Sequence, residues 1–215
     1  MDVAKPTVAI IGGTGTLGSG LARRLARAGY PIVIGSRSQQ KAAEAALSLQ
    51  PGRGVGASNA AAAMDGDILI ITLPWSNAAP ILDEIAPHAA GKLVIETTVP
   101  LAPAHLTRVS LPPEGSAALA AQKRLTGARL VAAFHHVAAH KLMKDDPIDC
   151  DVLVFGDDRA DRQAAVDLVA AVGLKGVHAG PLANAVAAEA LTSVLIGINR
   201  TYKVDGAGIR ITGIG

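Results

Sequence analysis

The chain has 215 residues, of which 50% are hydrophobic and 18% are charged, and its formal net charge is +2. This composition suits a globular protein with a large buried core, and so small and scattered a charge argues against a nucleic-acid partner. The one cysteine, Cys150, cannot form an internal disulfide, and we expect it to be a small buried residue at a strand start. We expect no signal segment, because the first apolar run is short and leads into a glycine-rich turn, and no membrane span, because Glu189 interrupts the longest apolar stretch. We predict a soluble cytoplasmic protein.

Short β-branched runs alternate with Ala-rich segments through the first hundred residues. Strands are expected at 7–11, 31–34, near 55, 67–72 and 92–96, and helices at 16–28, 38–49, after 58 and at 76–87. The strands are near-continuous apolar runs, which is typical of parallel strands that helices cover on both faces. The alternation therefore predicts an α/β fold with a Rossmann-type doubly wound parallel sheet.

The second half of the chain is less regular. Residues 100–114 contain four prolines and are expected to form a loop. Helices are expected at 116–125, 159–172 and 181–202, strands at 130–134, 152–155 and 175–178, and a glycine-containing tail at 203–215. We divide the chain into a Rossmann domain over residues 1–140 and a small C-terminal α/β appendage over residues 141–215.

A glycine pattern follows the first predicted strand and opens the first predicted helix. Gly13, Gly15 and Gly18 match G-x-G-x-x-G, which on its own is weak evidence. In this context the glycines permit a tight turn, a close backbone approach to a pyrophosphate and close packing of the helix. The N–H groups at the helix start then face the phosphates. We interpret the turn as a dinucleotide site; a glycine-rich turn without a ligand is the alternative.

The end of the second strand indicates which nicotinamide cofactor is preferred. An NAD enzyme places Asp or Glu there to bind the ribose diol, and this chain has no acidic residue between Asp2 and Glu44. Instead Ser36 and Arg37 offer a hydroxyl and a planar guanidinium to a 2′-phosphate, and Lys41 follows one helical turn later. The alternative is a solvated basic helix start, but positive charge is unfavourable there. We predict NADP.

The later strand ends supply further candidates. Trp75 follows the fourth strand, and either walls the cleft or packs at a helix start. His135 and His136 follow the sixth strand, where we expect one ring to face the cleft and the other to be packed or exposed. We expect no metal site, because no Cys or carboxylate clusters with these histidines. We find no acid–base pair of the Ser-x-x-x-Lys kind, which suits hydride transfer between two redox cofactors, where proximity and orientation suffice.

Motifs along nearly the whole chain resemble the NADPH-dependent F420 reductases, also called F420H2:NADP oxidoreductases. The segments that carry the resemblance are residues 11–15, 35–37 with Lys41, 73–75, 98–100, 134–135, 150–152, 156–158, 179–182 and 206–210. The glycine turn with Gly-Ser-Arg is shared with other NADP-binding domains, whereas the histidine strand end, the Gly-Asp-Asp turn and the tail are more specific. His136 departs from the family pattern, where a smaller residue such as Thr is expected.

The resemblance implies a hydride transfer between the nicotinamide C4 and C5 of the deazaflavin coenzyme F420, a homodimer, and a C-terminal part that closes the cofactor cleft. It implies that NADP is held by Thr14, Gly15, Thr16, Leu17, Ser36, Arg37 and Lys41, next to Gly13 and Gly18 of the glycine pattern. It implies that the nicotinamide half is lined by Trp75, Ala79, Val99, Pro100 and Ala139. It implies that the deazaflavin is bordered by His135, Val137, Ala138 and Ile209, with His135 at the hydride-transfer site and no certain catalytic residue. As a further hypothesis, Lys141, Lys144 or Arg210 meets the acidic tail of the coenzyme, the alternative being ordinary surface charges.

Two other readings of the sequence stay open at this point. The first is an NADPH-dependent reductase of another acceptor, such as a flavin, a ferric complex or an imine, although the single helix after residue 181 is small for an imine enzyme. The second is a non-catalytic protein that senses NADP(H), since a fold does not fix a function. Binding of the cofactor without turnover on any acceptor would favour the sensor.

Overall fold

The computed structural model describes residues 4–214. Residues 1–3 of the predicted Rossmann domain and residue 215 of the predicted appendage lie outside the described residues. Over these residues eight strands form one sheet in the order β3-β2-β1-β4-β5-β6-β7-β8. The strands are β1 Val8–Ile11, β2 Ile32–Gly35, β3 Gly54–Ala57, β4 Ile68–Ile71, β5 Leu93–Glu96, β6 Arg129–Ala132, β7 Asp151–Gly156 and β8 Lys175–His178. The doubly wound α/β prediction is confirmed.

The sheet changes direction once. Strands β1 to β6 are parallel, β7 runs antiparallel to β6, and β8 is parallel to β7. The β6–β7 contact is short, with Val131 opposite Gly156 and Ala132 opposite Phe155. The C-terminal part of the chain therefore extends the same sheet rather than forming a second one.

The helices fill the connections between the strands. They are α1 Thr16–Arg27, α2 Gln39–Leu47, α3 Asn59–Asp65, α4 Trp75–Ala89, α5 Ala117–Arg124, α6 Ala139–Leu142, α7 Arg159–Ala171 and α8 Ala185–Tyr202, with short 3-10 turns at Pro103–His105 and Leu182–Asn184. The side chains of Ser58 and Asp158 accept backbone N–H groups and cap the starts of α3 and α7. Helix α4 runs past Pro87, where the sequence predicts its end, and the four-residue α6 was not predicted.

Alternate strand residues pack on opposite sides of the sheet. Ile10, Ile34 and Ile95 belong to one buried cluster, which includes residues of α1 and α7. Their neighbours Ile11 and Val94 belong to the other, which includes residues of α4 and α5. Both faces are thus covered, which explains why the strands read as continuous apolar runs.

Helix α8 is long and apolar. The segment Leu182–Tyr202 has 21 residues, and the mean hydropathy of its most apolar stretch is 1.4, so its length and composition would also suit a membrane crossing. In the fold, 33% of that stretch is buried. Its buried face carries Glu189, whose carboxylate oxygens accept hydrogen bonds from the N–H groups of Ala117 at 2.7 Å and Ala118 at 3.1 Å. The Glu189 carboxyl group thus caps the start of α5 and ties α8 to the rest of the fold.

Candidate functional site

A cleft of about 480 Å³ opens where strands β1, β2, β4 and β5 end. In an open α/β sheet, ligands bind at the carboxyl ends of the strands, near the point where the strand order reverses. Strands β1 and β4, which are neighbours here, form that point. The lining residues are Gly12, Thr14, Gly15, Thr16, Leu17, Ser36, Arg37, Asn59, Thr72, Leu73, Pro74, Asn77, Ile81, Thr97, Thr98, Val99 and Leu101.

The glycine-rich turn forms the floor of this cleft. Gly12 has φ of +74°, a conformation that other residues adopt only with strain, and a Cβ there would lie 2.6 Å from the Leu73 side chain. A Cβ on Gly18 would lie 2.7 Å from both the Gly13 Cα and the Thr72 Oγ1 atom. Helix α1 begins directly after Gly15 and has no side-chain N-cap, so its first N–H groups are left for an anion in the cleft.

One wall of the cleft comes from the end of β2. Ser36 is buried, and its hydroxyl accepts a hydrogen bond from the Ser38 N–H at 3.2 Å. Arg37 is exposed and lines the cleft, and its guanidinium makes no ion pair with any residue in the range 4–214. A free guanidinium at this place suits a phosphate group. Lys41 lies in the first turn of α2 and is exposed, outside the lining of the cleft.

The opposite wall follows β4 and β5. The hydroxyl of Thr72 donates to the Ile11 carbonyl at 2.9 Å, and that of Thr97 donates to the Ile71 carbonyl at 2.7 Å. These bonds continue the contacts between neighbouring strands beyond the strand ends. The wall is therefore a rigid extension of the sheet, on which Thr98 and Val99 reach the cleft.

A second cavity, of about 140 Å³, lies where β6, α8 and the C-terminal tail meet. Phe134, just after β6, has φ of +67° and is 1% exposed. A bulky aromatic residue adopts this conformation only when the surrounding structure imposes it, and such strain is concentrated at functional sites. The turn it makes places both His135 and His136 beside this cavity.

The two histidine rings differ in their partners. His135 is 4% exposed, and neither of its ring nitrogens has a hydrogen-bond partner among the described residues. Burial lowers the pKa of His135 to about 3, so its ring is neutral near neutral pH. His136 contacts the Asp151 carbonyl oxygen through Nε2 at 2.8 Å. His136 is thus a packed structural group, while the His135 ring is free to meet a ligand.

The C-terminal tail is held beside this cavity by Asp151. The Asp151 N–H donates to the Ile209 carbonyl at 2.8 Å, and its carboxylate accepts the Ile211 N–H at 2.7 Å. Arg210 contacts both Asp149 and Asp151. Lys141 donates to the Gly206 carbonyl at 2.9 Å. Two of the three cations that the sequence assigned to an acidic ligand tail, Lys141 and Arg210, therefore have partners within the protein.

The structure brings many of the expected site residues together. The glycine turn, Ser36, Arg37 and Val99 meet at the large cleft, and His135, Val137 and Ala138 meet at the second cavity. Other expected residues lie elsewhere. Trp75 and Ala79 line a separate cavity with Leu82, Glu114, Ala120 and Arg124. Lys41, Pro100, Ala139 and Ile209 border neither the large cleft nor the second cavity in the present conformation.

Sequence reasoning missed Asn59 as a site residue. Asn59 is 1% exposed and lines the large cleft. The sequence does contain a signal for Asn59: it is a polar residue two positions after β3, and ligands bind at the carboxyl ends of parallel strands. Asn77, Ile81 and Leu101 also line the cleft and were not predicted.

Comparison with known proteins adds a family and close relatives. Residues 7–100 match the family described as NADP oxidoreductase, coenzyme F420-dependent. The F420-dependent NADP reductase of Methanocaldococcus jannaschii is 38% identical over 96% of this chain and 98% of its own length. The F420-dependent NADP reductase of Methanothermobacter thermautotrophicus is 36% identical over 96% of this chain and 95% of its own length.

Solved structures agree on the fold. A crystal structure from Arthrobacter sp. FB24 superposes with a TM-score of 0.80 at 24% identity and covers 95% of this chain and 98% of that one. A reductive aminase from Aspergillus terreus, in complex with NADPH, superposes with a TM-score of 0.62 at 21% identity and covers 92% of this chain but only 62% of that one. This chain thus spans almost the whole of the first structure but lacks a substantial part of the second.

Proposed function

The chain belongs to the family of F420-dependent NADP reductases, and we propose that its large cleft binds NADP(H) and its second cavity binds coenzyme F420. The protein is an oxidoreductase that transfers a hydride between NADP(H) and coenzyme F420, as the motifs of the sequence implied. Two observations among the described residues, 4–214, support the assignment of the sites: the guanidinium of Arg37 has no ion-pair partner there, and neither ring nitrogen of the buried His135 has a hydrogen-bond partner there.

The large cleft fits the phosphates of NADP(H). The space that a Cβ on Gly18 would fill is already taken by Gly13 and Thr72, so the turn and the start of α1 come as close together as backbone allows. We assign the pyrophosphate to the turn and first helical residues, which are Gly13, Thr14, Gly15, Thr16, Leu17 and Gly18. Ser36 and Arg37 would bind the 2′-phosphate, and the flexible Lys41 side chain would reach it from α2.

We place the nicotinamide end of NADP(H) against the wall that follows β5. Val99 lines the cleft there and Pro100 follows it, buried. The next strand of the sheet, β6, leads to His135, so the two sites would adjoin along the carboxyl edge of the sheet. Neighbouring sites on one rigid edge supply what hydride transfer requires, which is a short and oriented approach of two rings. NADP(H) and the deazaflavin supply the redox chemistry when bound.

The second cavity fits one edge of a flat heterocycle. Its walls include Val137, Ala138 and Leu195, with the neutral His135 ring as a polar group that can donate or accept a hydrogen bond. Its volume, about 140 Å³, is below the range of roughly 300 Å³ and more that small-molecule sites occupy. The tail residues Gly206 and Ala207 would therefore shift when the coenzyme enters. Ile209 would then border the coenzyme, and Ala139 would border the nicotinamide.

Residues 141–215 would act as the part that closes the cofactor cleft, and residues 1–140 as the NADP-binding part. This division is supported by the tail contacts of Asp151, which hold the end of the chain against the second cavity. We also propose that the protein works in the cytoplasm, since its two cosubstrates are soluble intracellular coenzymes.

We propose a homodimer that uses the outer face of α8. Val194, Ile198 and Tyr202 are spaced four residues apart and are 47%, 36% and 72% exposed, so they form an apolar stripe along the helix. Such a stripe is costly to leave in water and suits an interface between two copies. Light scattering of the wild type should give a dimer mass, and Ile198→Glu should give a monomer; a monomeric wild type would refute the dimer.

The proposed sites are tested by an anaerobic assay in which oxidised coenzyme F420 is mixed with NADPH or NADH. NADPH should bleach the deazaflavin absorbance and NADH should not. Arg37→Ala should raise the KM for NADPH roughly tenfold or more and leave the KM for F420 unchanged, because one charge-assisted contact is lost. Arg159→Ala, an exposed arginine on α7, is the matched control. Equal KM values for NADPH in Arg37→Ala and wild type would refute the assignment.

A further inference from the structure

Asn59 has a place in the cleft that the function described so far does not use. It is the first residue of α3, directly after the Ser58 cap, and β3 and β2 are neighbours in the sheet. Its side chain is 1% exposed and yet lines the large cleft. A buried carboxamide needs hydrogen-bond partners, so those that Asn59 has and those that it lacks are informative.

The carboxamide oxygen has a partner and the amino group does not. Asn59 Oδ1 accepts a hydrogen bond from the Gly12 N–H at 3.2 Å. Because a backbone N–H can only donate, this bond fixes which end of the carboxamide is the oxygen. The NH2 group makes no hydrogen bond with any residue between 4 and 214. Two N–H donors on a side chain that lines the cleft are thus available to a ligand.

Asn59 joins the two parts of the cleft that would meet phosphate. A Cβ on Gly35 would lie 3.0 Å from Asn59 Oδ1, so the side chain packs directly against the residue that precedes Ser36 and Arg37. On its other side it holds Gly12, and the Gly13 N–H donates to the Gly35 carbonyl at 3.0 Å. Asn59 therefore sits at the junction between the glycine-rich turn and the end of β2.

We propose that Asn59 is a specificity-determining residue for NADP(H), whose oxygen holds the glycine-rich turn and whose NH2 group donates to the phosphorylated adenosine ribose. The inference rests on the proposed binding of NADP(H) in this cleft. A neutral donor at this junction favours a phosphate monoester over a ribose diol, whereas a carboxylate at the same place would favour the diol.

Asn59→Asp tests this directly, because its carboxylate still accepts the Gly12 N–H but cannot donate and repels a phosphate. Equilibrium titrations with NADPH and with NADH, in the absence of coenzyme F420, should show the NADPH Kd raised roughly tenfold or more and the NADH Kd changed by less than about threefold. Asn184→Asp, which adds the same charge at an exposed position outside the cleft, should change neither. Equal losses for both nucleotides, or no loss, would overturn the proposal.

Asn59→Ala covers the case in which the Asp variant does not fold. It removes the acceptor for Gly12 as well as the two donors, so both affinities should fall, but the preference for NADPH over NADH should fall by about threefold or more. An unchanged preference would overturn the proposal. Failure of the wild type to bind NADPH would instead refute the proposed NADP(H) site, and failure to reduce coenzyme F420 would leave these titrations unaffected.

Discussion

The carboxyl group of Glu96 folds back onto the end of its own strand, where its Oε1 atom accepts the backbone N–H of Thr98 at 2.6 Å. Its other oxygen, Oε2, has no hydrogen-bond partner among the described residues. Glu96 is 1% exposed, and burial, reinforced by the nearby Glu189, raises its pKa to about 8. Glu96 is therefore protonated at neutral pH, directly behind the Thr98–Val99 wall of the cleft.

Glu96→Gln should become more stable than the wild type as pH rises. The folded-state pKa of about 8 exceeds the usual 4.5, so the contribution of protonated Glu96 is complete below pH 4.5 and is lost as pH rises toward 8. Glutamine is neutral at every pH. The free energy of unfolding of Glu96→Gln minus that of the wild type should therefore be larger at pH about 9 than at pH about 4, by roughly 3–5 kcal/mol. Urea denaturation at both pH values measures this, with the exposed Glu44→Gln as control. A difference that does not vary with pH would contradict it.

His135 should have the opposite effect. Its pKa is lowered from 6.5 to about 3 because burial disfavours the charged ring, so the stability that the neutral ring contributes is present above pH 6.5 and is lost as pH falls toward 3. His135→Gln should therefore lose roughly 2–4 kcal/mol less than the wild type when pH falls from about 7 to about 4. Denaturation curves at these two pH values measure the losses. Equal losses in the two proteins would show that folding does not lower the pKa of His135.

Gly18→Ala tests the glycine-rich turn. The added Cβ would lie 2.7 Å from the Gly13 Cα, and a backbone atom cannot move away without changing the turn. We expect a loss of stability of roughly 1–3 kcal/mol and a clear rise in the NADPH Kd. Gly197→Ala is the control, because a Cβ there would lie 3.9 Å from the Thr107 side chain, an ordinary contact, and alanine suits the interior of α8 better than glycine. NADPH binding by Gly18→Ala at wild-type strength would contradict the assignment of the turn.

The tail contact of Asp151 should control access to the second cavity. Ile211→Pro removes the N–H that Asp151 accepts at 2.7 Å and leaves the buried carboxylate in place. We expect faster proteolysis of residues 204–214 and a higher KM for coenzyme F420, with the KM for NADPH unchanged. Asp149→Ala breaks only the exposed contact with Arg210, so its effects should be small. Unchanged proteolysis and F420 kinetics in Ile211→Pro would show that the tail does not border this site.

The sequence predicted the part of the fold that periodicity encodes. The apolar runs predicted the strands, because both faces of the sheet are covered by helices. Helix α1 ends within one residue of its expected end, just before Gly29, whose φ is +91°. The antiparallel step from β6 to β7 was not predicted, because an apolar strand does not encode its direction. Helix α4 was expected to end at Pro87, yet it continues to Ala89, which is buried in the core.

The site was predictable where one motif occupies one turn and less so where distant segments meet. The glycine turn and Ser36–Arg37 are local patterns, and the structure places both at the cleft. Asn59 was missed because its role comes from Gly12, which is 47 residues away. The unusual φ of Phe134, which turns both histidines toward one cavity, leaves no trace in residue type.

The central claim is tested most directly by following the label from NADPH deuterated at the nicotinamide C4 into coenzyme F420. The two sites proposed along one edge of the sheet predict direct transfer, so reduced F420 formed in ordinary water should carry one deuterium at C5 of the deazaflavin when the labelled face of NADPH is the one used. NADPH labelled on each face should be tested, with mass spectrometry as the readout. Reduced F420 without deuterium from either, or no reduction of F420 at all, would contradict the account.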